Sequence, residues 1–187
     1  MLTFLNKLRG RTNRTFSWQP MPAQNETLTV DLTSHRFAGV AIGDPIDQIS
    51  FLGPADNPYE LVHTYNYFRR GFYLVDDDGK LETVVFLLVL DAAMPTLIPF
   101  AGRWLHNGRP LAITAQTPPQ DLRRDWGEPF HEYTEPEGDL IWFYEFPRVE
   151  WQFAWTQEGQ LASVELGLPE LAYPEARDLY QVKKPLP

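Results

Sequence analysis

The sequence contains no cysteine. That absence excludes a disulfide framework, a thiolate metal site and a thiol nucleophile, and it fits a cytoplasmic protein. The four histidines, which form no helical i, i+4 pair that would indicate a zinc site, are His35, His63, His106 and His131. Neither a Gly-x-Ser-x-Gly elbow nor a glycine-rich phosphate loop occurs. We therefore predict a protein that is not an enzyme and that needs neither a cofactor nor a metal.

Long apolar runs are also missing. The most apolar stretch, residues 84–90, extends into a membrane-length segment only across Asp91, Pro95 and Pro99. A spanning helix must keep its backbone hydrogen bonds internal, which the prolines oppose. Since the stretch is apolar at odd and even positions alike, we expect a strand covered on both faces, followed by a connection over residues 94–105.

Positive charge is scarce outside the N-terminus. The formal net charge is −9, and the first 18 residues carry four basic and no acidic side chains, which leaves −13 on the rest of the chain. An acidic body repels nucleic-acid backbones and favours a basic protein partner. Residues 1–14 also include Phe4, Leu5 and Leu8. Three interpretations stay open for them: an arm that docks on the domain, a targeting presequence, or a helix at a membrane surface.

Two stretches share one pattern of helix punctuation. Each begins with a capping residue and a proline, Asp44 in one and Thr117 in the other, and each ends at a glycine, Gly53 or Gly127, with a proline close behind. A capping oxygen and proline suit the free amides of a first helical turn, and glycine accepts the left-handed conformation that ends a helix. We interpret the pattern as one unit present twice. The predicted helices cover residues 45–52 and 118–126.

Strand patterns follow each predicted helix in the same order. An Asp-Gly turn at Gly79 and a polar turn containing Gly159 each close a hairpin. Gly53 and Gly127 differ by 74 positions whereas Gly79 and Gly159 differ by 80, so the second copy carries six extra residues. The three aspartates before Gly79 lack EF-hand spacing and do not indicate a calcium site. The predicted strands are residues 65–68, 71–75, 81–90, 140–146, 149–155 and 161–166, with lead-in strands at 28–32 and 111–113.

These elements predict an α+β protein built from two tandem repeats, each a helix packed on an antiparallel sheet. The two sheets are expected to be adjacent or continuous through residues 84–90. Four segments result: a basic N-terminal arm and linker, a first repeat, a second repeat and a C-terminal segment. Their boundaries are residues 1–27, 28–100, 101–167 and 168–187.

The repeated unit resembles a known module. Its signatures are Gly53-Pro54 and Gly127-Glu128-Pro129 after the helices, and Gly79-Lys80-Leu81 and Gly159-Gln160-Leu161 before the last strands. This order resembles the small α/β module shared by the β-lactamase inhibitor protein and the small protein A family of outer-membrane lipoproteins. The inhibitor has two such modules in tandem, so the resemblance implies a concave sheet that offers aromatic and polar side chains to a partner. The absence of cysteine departs from both families, and no functional residue is carried over.

The second repeat has more aromatic side chains than one sheet face needs. Strand 149–155 places Trp151, Phe153 and Trp155 on one face. If that face packs on the helix, one alternate set of side chains in strand 140–146 joins it in the core. The other set is exposed, bound to a partner, or covered by the N-terminal arm or by the C-terminal segment around Leu171 and Tyr173. That other set is Trp142, Tyr144 and Phe146 in one orientation, and Ile141 and Phe143 in the other.

Aromatic anchors rimmed by carboxylates suit a protein interface. The candidate binding residues are Trp142, Tyr144, Phe146, Glu150, Gln152 and Glu165. We expect a non-enzymatic acidic binding protein, such as a bacterial immunity or inhibitor protein, that occludes a basic partner. Two alternatives stay open: a membrane-associated or organellar accessory protein that uses residues 1–14, and a small-molecule-binding protein or enzyme with an aromatic pocket.

Overall fold

A computed structural model describes residues 28–56, 63–90 and 96–185. The N-terminal arm and its three interpretations therefore lie outside the described residues. The strands are β1 (Thr29–Asp31), β2 (Arg36–Phe37), β3 (Val40–Ala41), β4 (Thr64–Tyr67), β5 (Phe72–Asp77), β6 (Lys80–Leu87), β7 (Arg103–His106), β8 (Arg109–Leu111), β9 (His131–Thr134), β10 (Leu140–Glu145), β11 (Glu150–Trp155) and β12 (Leu161–Gly167). The helices are α1 (Pro119–Trp126) and α2 (Pro174–Leu179), with 3₁₀ helices at Ile46–Leu52, Phe68–Arg70 and Glu170–Ala172. None of the helices in these ranges is long and apolar enough to cross a membrane.

The strands form two sheets. The larger is antiparallel and has seven strands in the order β4-β5-β6-β12-β11-β10-β9. The smaller has five strands in the order β3-β2-β1-β7-β8, in which β1 and β7 are parallel. The fold is therefore α+β, as predicted. The main strands of the two repeats are continuous in the larger sheet because β6 pairs with β12.

The junction between β6 and β12 is internally symmetric. The Leu88 amide donates to the Ala162 carbonyl at 2.8 Å, and the Leu168 amide donates to the Glu82 carbonyl at 3.2 Å. Leu168 and Ala162 lie 80 positions after Leu88 and Glu82, which is the offset of the two hairpin glycines. The two copies therefore meet in equivalent ways across the centre of the sheet.

The two helix ends are also equivalent. Gly53 has φ 75° and ψ −172°, and Gly127 has φ 92° and ψ −171°. In the first repeat the Tyr67 hydroxyl of β4 donates to the Gly53 carbonyl at 2.8 Å, and in the second the Tyr144 hydroxyl of β10 donates to the Gly127 carbonyl at 2.9 Å. Burial is the main cause that raises the pKa of both tyrosines, so each hydroxyl stays a donor. The punctuation predicted both helices to within a residue, although the first is 3₁₀ instead of α. The predicted caps are wrong: the N-cap residues are Pro45 and Pro118, and neither helix has a side-chain cap hydrogen bond. Both glycines combine positive φ with an extended ψ instead of the predicted left-handed conformation.

The predicted hairpin between β5 and β6 is confirmed. Asp78 and Gly79 have φ angles of 51° and 77° and form the two central residues of the turn, where positive φ matches the twist of the strands. The Asp76 carboxylate accepts a hydrogen bond from the Gly79 amide at 2.9 Å. This aspartate therefore stabilises the turn.

The region between the repeats differs from the prediction. Residues 94–105 were expected to form a connection and 111–113 a lead-in strand, but β7 begins at Arg103 and pairs with β8, which ends at Leu111. Trp104 of β7 lies beside Val30 of β1, and both are buried. Because parallel pairing joins segments far apart in sequence, no local pattern indicates it.

The sheet faces settle which alternate side chains of β10 enter the core. Trp142 and Tyr144 lie in the main core with Trp151, Phe153 and Trp155, between the two sheets and beneath α1. Phe143 points to the opposite, outer face of the seven-stranded sheet. There the C-terminal segment covers it, in one cluster with Leu171, Ala176, Tyr180 and Val182. Within the described residues, the C-terminal segment therefore covers this side of β10, through Leu171 as predicted but not through Tyr173, which is 49% exposed.

Candidate functional site

The predicted aromatic anchors do not form a surface. Trp142 is 2% exposed and packs against Trp155, with ring centroids 5.1 Å apart. Tyr144 is 5% exposed and stacks on Trp126 at 4.5 Å. Phe146 is partly buried, with its ring 4.3 Å from that of His35. The sequence-based choice of these three residues as exposed anchors is therefore corrected: they face the core, because β10 turns its even-numbered side chains inward.

The predicted polar residues, in contrast, lie together on the outer face. β11 contributes Glu150 and Gln152, and β12 contributes Glu165, which stands directly opposite Gln152. Glu145 of β10 lies opposite Glu150. Glu170 reaches the same place from the 3₁₀ helix that follows β12. We call these five residues, Glu145, Glu150, Gln152, Glu165 and Glu170, the acidic seam.

Gln152 connects the seam. Its Nε2 lies 2.6 Å from Glu150 Oε1 and 2.9 Å from Glu170 Oε2, so the amide donates to carboxylates on both sides. The Leu171 amide donates to Glu150 Oε2 at 3.1 Å. Within the described residues, no Lys, Arg or His side chain forms an ion pair or hydrogen bond with the four carboxyls. Among residues 28–56, 63–90 and 96–185, the seam therefore has no counter-cation.

The electrostatic consequence is that two carboxyls resist ionisation. Glu150 is 1% exposed. Burial, followed by the hydrogen bond and the charge of Glu145, raises its pKa well above the ordinary range, while the Leu171 amide and Gln152 oppose the rise. Burial of the carboxyl, with Glu170 and Glu82 nearby, raises the pKa of Glu165 to about 8, although the residue as a whole keeps partial contact with solvent.

Two apolar clusters flank the seam. One contains Val85, Leu87 and Leu97, with Tyr73 and Phe68 packed against it. The other is the cluster of Phe143 and Leu171 beneath the C-terminal segment. Burial raises the pKa of Tyr73, with a smaller contribution from the charge of Glu165. The clusters leave Gln152, Glu165 and Glu170 partly exposed between them.

The histidines do not gather into a site. Trp151 Nε1 donates to His35 Nδ1 at 2.9 Å, and Asp76 Oδ1 lies 2.9 Å from His63 Nδ1. Asn107 Nδ2 lies 3.3 Å from His106 Nε2, and the Tyr180 carbonyl lies 2.7 Å from His131 Nε2. The imidazoles of His35, His63 and His131 therefore join segments distant in sequence, whereas that of His106 contacts the next residue. No group of three or more His, Cys, Asp or Glu residues within the described ranges could hold a metal ion.

The sequence predicts part of the acidic seam. It indicates Glu150, Gln152 and Glu165 as candidate binding residues, but it does not indicate Glu145 or Glu170. Glu145 shares the parity of Ile141 and Phe143, so the correct face of β10 would have placed it beside Glu150. Glu170 follows the last strand and carries no local signal.

Comparisons with known proteins give little. No family model matches the chain, and no curated protein matches it. Among solved structures, the chain is similar to a DUF4309 family protein from Bacillus subtilis, at 12% identity and a TM-score of 0.42, over 65% of this chain and 75% of that one. The resemblance to β-lactamase inhibitor protein therefore stays a prediction.

Proposed function

We propose that this protein is a non-enzymatic binding protein for a basic protein partner, in the manner of an immunity or inhibitor protein. The acidic seam receives a lysine or arginine side chain of that partner. The observation that supports this assignment is a row of carboxyls on a partly exposed sheet face with no described counter-cation. A buried carboxylate is costly unless it is paired, so a cationic side chain that enters the seam relieves that cost.

The overall charge supports the same partner. Residues 19–187 carry −13, which speeds encounter with a basic protein and disfavours acidic ones. Tyr73, which is partly exposed, provides contact area for the aliphatic part of a lysine or arginine side chain. Glu150 is too deeply buried to reach a partner directly, so Glu165 and Glu170 are the groups expected to make the contact.

The test is affinity capture of host proteins, followed by titration of the captured protein against variants. The double variant Glu165→Gln, Glu170→Gln removes two seam carboxyls and keeps side-chain shape. Glu137→Gln with Glu158→Gln is the matched control, because it removes two exposed charges elsewhere. We expect the seam variant to lose about tenfold or more in affinity, or about 1.4 kcal/mol, and the control to lose much less. Equal losses in both would limit the interaction to general charge attraction, and unchanged binding in the seam variant would refute the site.

A further inference from the structure

The segment that follows β12, residues 168–185, crosses the outer face of the seven-stranded sheet. We call it the C-terminal cover. Leu171 and Tyr180 pack on Phe143, with the Tyr180 and Phe143 ring centroids 4.7 Å apart. The Tyr180 carbonyl also accepts a hydrogen bond from His131 Nε2 at 2.7 Å.

One of those contacts is a buried carboxyl. Glu150 Oε2 accepts the Leu171 amide of the cover, and Gln152 links Glu150 Oε1 to Glu170 of the cover. Glu150 is almost fully shielded from solvent, although it stands near the end of a strand. The cover is therefore fastened to the sheet through an acid.

In the described part of the chain, the groups that face Glu150 are acidic or neutral. Glu145 faces it from β10. Glu165 of β12 stands opposite Gln152 of β11. Glu170 and the Tyr180 hydroxyl approach from the C-terminal cover. His131 of β9 touches the cover at the Tyr180 carbonyl, which accepts a hydrogen bond from His131 Nε2. No cation among the described residues pairs with Glu145 or Glu150.

We propose that the C-terminal cover is proton-gated: it lies closed on the sheet while the Glu145–Glu150 pair holds a proton, and it opens when both carboxyls are ionised. This inference does not depend on the proposed binding function. Opening exposes the face that carries Phe143, and so converts a covered surface into an accessible one.

The physical reason is that two adjacent carboxyls in a dry site cannot both carry charge. Burial and the neighbouring Glu145 raise the pKa of Glu150, whereas hydration after opening returns it toward its ordinary value. The closed form therefore binds one more proton than the open form. Its population relative to the open form falls by up to about tenfold for each unit of rising pH between those two values.

Amide hydrogen exchange of the full chain between about pH 6 and about pH 9 tests the proposal. Protection of the amides of residues 171–182 is measured in wild type, in Glu150→Gln and in the exposed control Glu158→Gln, with correction for the intrinsic pH dependence of exchange. We expect the ratio of wild-type to Glu150→Gln protection to fall about tenfold per pH unit, and the control to follow wild type. A ratio that does not change with pH would overturn the proposal.

A second variant is used if circular dichroism shows that Glu150→Gln does not fold. Glu145→Gln removes the like charge and supplies an amide donor to Glu150, so it should also reduce the pH dependence of cover protection. If neither variant folds, the pH dependence of amide protection in the wild-type chain tests the proposal. Cover amides that exchange through a local opening with no pH dependence beyond the intrinsic rate would refute the gate.

Discussion

Glu165 occupies the centre of the sheet, where the two repeats meet. It pairs with Val85 across the junction of β6 and β12, and the two are 80 positions apart, so they are equivalent residues of the two copies. One copy therefore has an apolar residue and the other an acid in the same environment. We expect Glu165→Gln to stabilise the protein, by an amount that depends on pH.

The magnitude follows from the raised pKa. Burial of the carboxyl, with Glu170 and Glu82 nearby, raises the pKa of Glu165 from 4.5 to about 8. Because the folded value exceeds the unfolded one, the stability that this group contributes is fully present below pH 4.5 and is lost as the pH rises through about 8. Neutral pH lies about 2.5 units above the lower value, and each unit corresponds to about 1.4 kcal/mol, so wild type loses about 3 kcal/mol there. Glutamine carries no charge and avoids that loss.

The assay is equilibrium denaturation by urea at a series of pH values from about 4 to about 9, with tryptophan fluorescence as the signal. The difference in free energy of unfolding between Glu165→Gln and wild type should grow from its value at acidic pH by about 3 kcal/mol at neutral pH and level off above the raised pKa. Any constant effect of the amide cancels, since only the pH dependence is read. Glu158→Gln, an exposed change in the β11–β12 turn, should run parallel to wild type. If the free energy of unfolding of Glu165→Gln also ran parallel to that of wild type across this pH range, the reasoning would be refuted.

Two further pairs of substitutions test the repeats and their packing. Tyr67→Phe and Tyr144→Phe should each lower the free energy of unfolding by about 1 kcal/mol, because each leaves the carbonyl at a helix end without its hydroxyl donor. Losses that differ by more than a factor of about three would contradict the equivalence of the two helix ends. Gly71→Ala should cost about 2 kcal/mol more than Gly39→Ala in the same measurement. Both glycines have positive φ, but only at Gly71 would a Cβ lie 2.1 Å from the Phe100 amide nitrogen, so equal costs would show that backbone strain alone decides.

The raised pKa of Glu165 also bears on function. A residue that lowers stability at neutral pH, where its duplicate position has valine, is the kind of residue that proteins retain for a role other than folding. The same variant is therefore expected to gain stability and to lose affinity for a basic partner. A gain in stability with unchanged binding would separate the two effects and would leave the seam as a feature of the fold alone.

Much of the fold was predictable because its signals are local. The turn at Asp78 and Gly79, the helix ends at Gly53 and Gly127 and the alternation of β11 each depend on a few neighbouring residues. Even the offset of 80 between the copies reappears in the hydrogen bonds of the β6–β12 junction. The parallel pairing of β1 with β7 was missed because most of the first repeat separates the two strands in sequence.

The sequence by itself determined the duplication, the two short helices, the hairpins and the acidic character of the body, since backbone conformation at glycine and proline and the period of apolar residues are short-range properties. Tertiary structure alone decided which face of β10 is buried, because Trp142 and Phe143 are both apolar and only the position of the C-terminal cover distinguishes their two sides. It also decided that Glu145, Glu150, Glu165 and Glu170 come together. Their protonation depends on burial and on one another's charge, and both arise only when distant segments meet.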